Sequence, residues 1–243
     1  MKQLSIIAIA IFFTAFCFHA EAQETQPYIK TVNPQTFKKL VDAGKGIILD
    51  VRTPQEISEG YINNASTINF YDDNFVEKIN LIPKDKEIYV YCKSGGRSSQ
   101  AAEILKKNGF NRIYDLEGGF IQWENNKFPF TKSKFAKDDK IQQISLKDFN
   151  VLLNSNKLIL IDFHTVWCAP CRKMAPIVDK IEIDYKDKAL VMRVDVDKSK
   201  EVGKAYNVAG VPVFILYKNG KEVWKHNGLI AEEEIKKQIE QNL

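Results

Sequence analysis

Short apolar runs recur along the chain, and longer amphipathic stretches separate them. Residues 46–51 (GIILDV) and 87–91 (EIYVY) are continuous runs of the kind a strand buried on both faces requires. Asn33 and Pro34 supply a cap and a first helical position for a helix reaching Ala43. Residues 100–108 predict a further helix closed by Gly109, residues 112–115 a strand, and residues 118–123 the start of a short helix. Strands alternating with helices predict a parallel sheet with crossover helices.

A polar stretch over residues 124–140 (ENNKFPFTKSKFAKDDK) sustains neither helical nor strand periodicity and reads as a linker with its core at 130–139. Beyond it the alternation resumes. Ser145 opens a helix with a capping-box pattern, residues 158–163 (LILIDF) form a buried strand, and a helix follows over about 170–185. A strand at 191–196 and a helix near 199–206 come next. Strands at 213–217 and 222–225 flank Asn219-Gly220, a two-residue hairpin signal, and an amphipathic helix at 231–240 ends the chain. The 243 residues suit two domains.

The amino terminus differs in kind. Lys2 precedes an apolar run over residues 4–18, and Ala20-Glu21-Ala22 places small residues where a signal peptidase cuts. The run is shorter than the roughly 20 residues that span a membrane. Residues 1–22 are therefore expected to be a cleaved secretory signal, placing the mature protein in a secreted compartment, the bacterial periplasm. An uncleaved amino-terminal anchor is the alternative. A net charge of +4 with scattered lysines excludes a nucleic-acid face. Of four cysteines Cys17 leaves with the signal, and Cys92, Cys168 and Cys171 remain. An odd number, two of them separated by only Ala169 and Pro170, suits chemistry better than a disulfide framework.

Cys92 follows a buried strand and precedes a helix, the ligand-binding end of an α/β sheet. Ser94, Gly95 and Gly96 let the backbone curl so that N–H groups converge on an anion, and Lys93 and Arg97 are expected to add full charges. Such surroundings favour a thiolate or persulfide over a buried structural thiol. With DVRTPQE at 50–56, GYINNA at 60–65, CKSGGR at 92–97 and LEGGFIQW at 116–123, residues 27–129 resemble the rhodanese family. The resemblance implies that Cys92 accepts a sulfane sulfur from thiosulfate or a similar donor, and that Asp50 and Arg52 shape the pocket. Tyr61-Ile62-Asn63 departs from the His-Ile-Pro of many members. The loop from Cys92 to Arg97 is one residue shorter than in cysteine-based phosphatases, which favours sulfur over phosphate.

Cys168 and Cys171 stand at a strand-to-helix junction, where the helix dipole favours the first thiolate and the second thiol lies a turn deeper. That asymmetry provides a nucleophile and a resolving thiol for exchange through a mixed disulfide. Half a zinc site or a structural disulfide are the alternatives. The stretches DFHTVWCAPCRKMAP at 162–176, VDVDKSKEVGKAYNVAGVP at 194–212 and FILYKNGKEV at 214–223 make residues 140–243 similar to thioredoxin. The resemblance implies that Cys168 attacks a substrate disulfide and Cys171 resolves it. It also implies that Pro170 shapes the loop, that Pro212 is a cis-proline beside the sulfurs, and that Trp167 shields the dithiol. Asp162, at the inner end of a buried strand, is expected to accept the Cys171 proton, with Arg193 as electrostatic support. Ala169 replaces a usual Gly, and His164, which replaces a Trp, is expected on the solvent side.

The fold class expected is therefore α/β: two three-layer domains, a rhodanese-like one with a mostly parallel sheet and a thioredoxin-like one with a mixed sheet. The function expected is sulfane-sulfur transfer joined to dithiol/disulfide exchange in the reductase direction. A first domain that only binds or docks is the alternative. Neither motif calls for a cofactor or a metal. The partners implied are a sulfane-sulfur donor, protein or small-molecule disulfides, and a membrane thiol-redox protein that recharges the dithiol. A linker core of roughly 10 residues spans up to about 33–36 Å, enough to let the two sites meet.

Overall fold

The computed structural model describes residues 26–132, 143–154 and 158–243. The expected signal at 1–22 and most of the linker core lie outside them. Among the described residues, no helix is long and apolar enough to cross a membrane.

The first domain runs β1 (Tyr28–Val32), α1 (Pro34–Ala43), β2 (Ile47–Asp50), α2 (Pro54–Glu59), β3 (Ser66–Thr67), α3 (Phe75–Ile79), β4 (Ile88–Tyr91), α4 (Gly96–Lys107), β5 (Arg112–Leu116) and α5 (Gly119–Asn125). Its sheet has the order β1-β5-β4-β2-β3, and every pair in it is parallel. The strand before Cys92, β4, is central and buried along its whole length, as its apolar run requires. Asn33 caps α1 by accepting from the Thr36 N–H, and Thr53 caps α2 in a reciprocal box with Glu56.

The sequence pattern passes over β1, α2, β3 and α3, all short, and starts α4 a turn too late. The helix begins at Gly96, because Gly95 adopts a left-handed φ of 104° as its cap and turns the chain straight into it. At the other end of the domain, Phe130 and Thr131 still belong to its packing. Thr131 and Tyr61 exchange two 2.9 Å backbone hydrogen bonds, and the Phe130 ring meets Phe120 edge-on.

The second domain runs α6 (Leu146–Leu153), β6 (Leu158–His164), α7 (Ala169–Tyr185), β7 (Ala189–Asp195), α8 (Lys200–Ala205), β8 (Val213–Lys218), β9 (Lys221–Asn227) and α9 (Glu232–Gln241). Its sheet order is β7-β6-β8-β9; β6 and β7 are parallel, and β8 lies antiparallel to both β6 and β9. Two α/β domains, one with an all-parallel sheet and one with a mixed sheet, agree with the expected fold class. The apolar cores are not separate. One contiguous cluster runs from Leu49, Ile68, Phe75 and Cys92 in the first domain to Trp167, Cys168, Cys171 and Val211 in the second.

Candidate functional site

Two cysteine centres stand at the carboxyl ends of central strands, and residues 65–83 of the first domain lie against the second centre.

Cys92 leaves β4 and is 1% exposed. The Gly95 N–H points at its Sγ from 3.2 Å, so one main-chain donor reaches the sulfur at the start of α4. The loop is held from behind by α5. Phe120 N–H donates to the Cys92 carbonyl at 2.8 Å and Ile121 N–H to the Lys93 carbonyl at 3.1 Å. Gly119, at φ 61°, sits so close that a β-carbon would stand 2.5 Å from the Cys92 oxygen. Lys93, Ser94 and Gly96 are exposed and Gly95 is half-buried.

Arg97, expected to bring a full charge to the sulfur, stands within electrostatic reach of Cys92 and is also paired. Its guanidinium is engaged by Glu56 through two 2.7 Å bonds. The hydrogen bond from Arg97 holds the Glu56 carboxyl at about 2, well below the ordinary range, and Glu56 in turn raises Arg97. Asp50 and Arg52 pair with one another in the interior. Arg52 donates to both Asp50 oxygens at 2.7–3.1 Å and to the Gly60 carbonyl at 2.7 Å, and its guanidinium lies 4.1 Å from the Phe120 ring centre. They brace the turn from β2 into α2 and the chain at Gly60. One residue of this centre went unread for its part in the sequence: Glu56, whose capping box with Thr53 was the available signal. Asp115 is a buried carboxylate in β5 that burial pushes up to about 6.

Cys168 and Cys171 are joined as a disulfide with their α-carbons 5.2 Å apart. Cys168 is the cap of α7 and accepts from the Cys171 N–H at 3.1 Å, with Pro170 in the first turn, where a missing donor costs nothing. The Trp167 indole donates to Asp197 at 2.7 Å. The Val211–Pro212 peptide is cis, and the Val211 carbonyl lies 3.8 Å from the Cys168 sulfur. Asp162 is fully buried in β6, and Arg193 lies 3.2 Å from one of its oxygens. Burial pushes the Asp162 carboxyl up to about 6 against the pull of Arg193. His164 is not on the solvent side: β6 continues through it, and it is 1% exposed. Burial, aided by Arg193, pulls its imidazole down to about 3.

The dithiol end of the second domain meets the outer edge of the first sheet. Thr67 in the edge strand β3 donates its N–H to the Trp167 carbonyl at 3.2 Å, and the Ala169 N–H donates to Ser66 Oγ at 3.0 Å. The Arg172 guanidinium donates to the Ala65 carbonyl at 2.7 Å and to the Trp167 carbonyl at 3.0 Å. Val211 N–H donates to the Leu81 carbonyl at 3.0 Å, and Lys200 pairs with Glu77 at 2.5 Å. Cys168 is left 2% exposed and Trp167 6%.

Comparison with known proteins divides the chain the same way. Residues 33–126 match the model of the rhodanese-like domain and residues 140–241 that of thioredoxin. A sulfurtransferase of Allochromatium vinosum is 35% identical over 92 residues, covering 38% of this chain and 84% of its own. The chloroplastic thioredoxin Y1 of Arabidopsis thaliana is 32% identical over 94 residues, covering 39% of this chain. The chain spans only 55% of that relative's length. A solved Plasmodium falciparum thioredoxin is 32% identical, with 43% of this chain and 100% of that one covered and a TM-score of 0.39.

Proposed function

The chain belongs to the rhodanese-like and thioredoxin families, one domain of each, and from that premise we propose that it reduces sulfane sulfur and disulfides in the periplasm. Cys92 is the sulfur acceptor and Cys168 with Cys171 the electron source. The observation that carries the reading is the pair of sulfur centres at helix starts, each accepting a main-chain N–H, Cys92 from Gly95 and Cys168 from Cys171.

In the first step the Cys92 thiolate attacks the outer sulfur of thiosulfate, the donor's S–S bond breaks, and sulfite leaves. Cys92 then carries a persulfide. The Cys168 thiolate attacks its terminal sulfur, and the Cys92 thiolate departs. The Cys171 thiolate next attacks Cys168 Sγ and expels hydrosulfide, leaving the disulfide. Two electrons from the dithiol have reduced one sulfane sulfur to sulfide. Asp162, held near pKa 6 by burial, takes the Cys171 proton at neutral pH. A membrane thiol-redox partner restores the dithiol, and the periplasmic location rests on residues 1–22.

A second reading makes the first domain a docking module, and the bond of Arg97 to Glu56 favours it, since that cation is already engaged. Thiosulfate treatment followed by intact-mass analysis separates the two. The sulfurtransfer reading expects one extra sulfur on Cys92, cyanide-dependent turnover, and sulfide release in a single turnover that Cys171→Ser abolishes. A Cys92 that gains no sulfur, or a Cys171→Ser protein that releases sulfide as fast as wild type, overturns it.

A further inference from the structure

We infer that residues 65–83 of the first domain are a built-in occupant of the dithiol's substrate face. They exclude folded protein disulfides and reserve Cys168 for sulfur brought by the first domain or by small molecules. This narrows the substrate class of the exchange reaction proposed above and rests on that reading.

Exchange requires an incoming sulfur to approach Cys168 Sγ in line with the bond being made or broken. A protein disulfide brings its own backbone with it, and so needs open surface around the sulfur. Here that surface is taken. The main-chain groups flanking the disulfide are paired with the first domain on three sides: the Trp167 carbonyl with Thr67, the Ala169 N–H with Ser66, and the Val211 N–H with Leu81. The Val211 contact places a foreign carbonyl on a backbone donor next to the cis peptide, as an added extended segment would. Thr67 uses the outward N–H of an edge strand, so the docking also covers a sheet edge that would otherwise be open.

The seam is built and not merely touching. Ser66 is 2% exposed, Arg172 reaches across to the Ala65 carbonyl, and Gly210 packs in ordinary contact range of residues 81–83. A β-carbon on Gly210 would stand 3.5 Å from Pro83 Cγ and 3.6 Å from the Leu81 carbonyl. A cleft of about 460 Å³ beside the seam, lined by Glu77, Leu81, Lys200 and Lys204 among others, reaches Asp197, which holds the Trp167 indole.

Reagent size tests this without relying on any sulfur chemistry of Cys92. The reduced full-length protein is alkylated with iodoacetamide and, separately, with a maleimide on a long polyethylene-glycol chain, and modification of Cys168 is followed by peptide mapping. Wild type is expected to take the polymer reagent at least about tenfold more slowly, relative to iodoacetamide, than a free cysteine peptide does. Ser66→Arg, which wedges the seam from the first domain, is expected to restore the peptide's ratio. Ser66→Ala, which keeps the seam closed, is expected to retain the wild-type ratio. Wild-type Cys168 that shows the ratio of the free peptide overturns the inference, as does a folded Ser66→Arg protein with the wild-type ratio. Either result leaves thiol exchange itself standing, whereas loss of exchange with the size ratio intact sinks only the proposed reaction.

Discussion

Glu56 grips both terminal nitrogens of Arg97 at 2.7 Å, across 41 residues of sequence. The pair ties the start of α2 to the first turn of α4 and so fixes where the Cys92 loop ends. It also gives the arginine a carboxylate partner while its charge still reaches Cys92. The loop's pull on an anion therefore joins the Gly95 N–H to a cation that Glu56 holds in place.

Glu56→Gln is expected to destabilise the first domain by about 1.5–3 kcal/mol, the range for hydrogen bonds to charged groups. Because its folded-state pKa is depressed to about 2, chiefly by the bond from Arg97, the stabilisation is complete above the ordinary glutamate value. It is lost as pH falls from about 4.3 towards 2. Denaturant unfolding should show a gap between wild type and variant at neutral pH that closes over that interval. A gap that persists at pH 2 would mean the carboxylate is not what stabilises.

Gly119 and Gly96 look alike in the sequence and should respond in opposite ways. At Gly119 a β-carbon would meet the Cys92 and Lys93 carbonyl groups within 2.7 Å, at a φ of 61° that side chains rarely adopt. At Gly96 it would meet nothing within 4 Å, and this residue is in α4. Gly119→Ala is expected to cost about 1–3 kcal/mol of backbone strain and to displace the loop, abolishing cyanide-dependent turnover. Gly96→Ala should leave turnover intact and stabilise by about 0.4–1 kcal/mol. Thermal melts and the thiosulfate assay on both variants check the pair.

Asp162 is stabilising only when protonated. Burial raises its folded pKa to about 6, so the stability it allows is full below the ordinary aspartate value and is lost as pH rises through about 6. Each pH unit between the unfolded and folded values is worth about 1.4 kcal/mol, so Asp162→Asn should gain about 1–3 kcal/mol at pH 7 and nothing below about pH 4. If the carboxylate also takes the Cys171 proton, exchange at pH 7 slows by at least about 100-fold. Increased stability with unchanged exchange would leave Asp162 a core carboxylate without a catalytic part.

Both sulfur centres were legible because their chemistry is local: a cysteine, its glycines and the following helix lie within a few residues of one another. So were the long buried strands, whose apolar runs have no other use. The failures share a cause. Strand β3 is two residues long and α2 six, too short for any periodicity to build up. The segment SGGRSS reads as loop by composition, yet Gly95 needs only one left-handed residue to make it a helix start. The partners of Arg97 and of the dithiol face are distant in sequence, at Glu56 and at residues 65–83, and no local pattern announces them. His164 misled for a related reason, since a polar residue ending an apolar run suggests a strand's exit, whereas β6 runs one residue further into the interior.

That buried histidine makes an acid-sensitive element of the second domain. Burial, then the nearby Arg193, lowers its folded pKa to about 3, and its Nε2 has no hydrogen-bond partner among the described residues. Protons therefore bind the unfolded chain more readily, so the stability is full above the ordinary value near 6.5 and falls as pH drops towards 3. Between about pH 6.5 and 5 the loss is about 2 kcal/mol, at about 1.4 kcal/mol per pH unit. His164→Phe, which removes the titration, should flatten this limb when unfolding is compared at about pH 7 and pH 5. In wild type, the His164 ring proton resonances should hold still from about pH 8 to 5; a midpoint near 6.5, the ordinary value, would place the ring in water and refute the buried position.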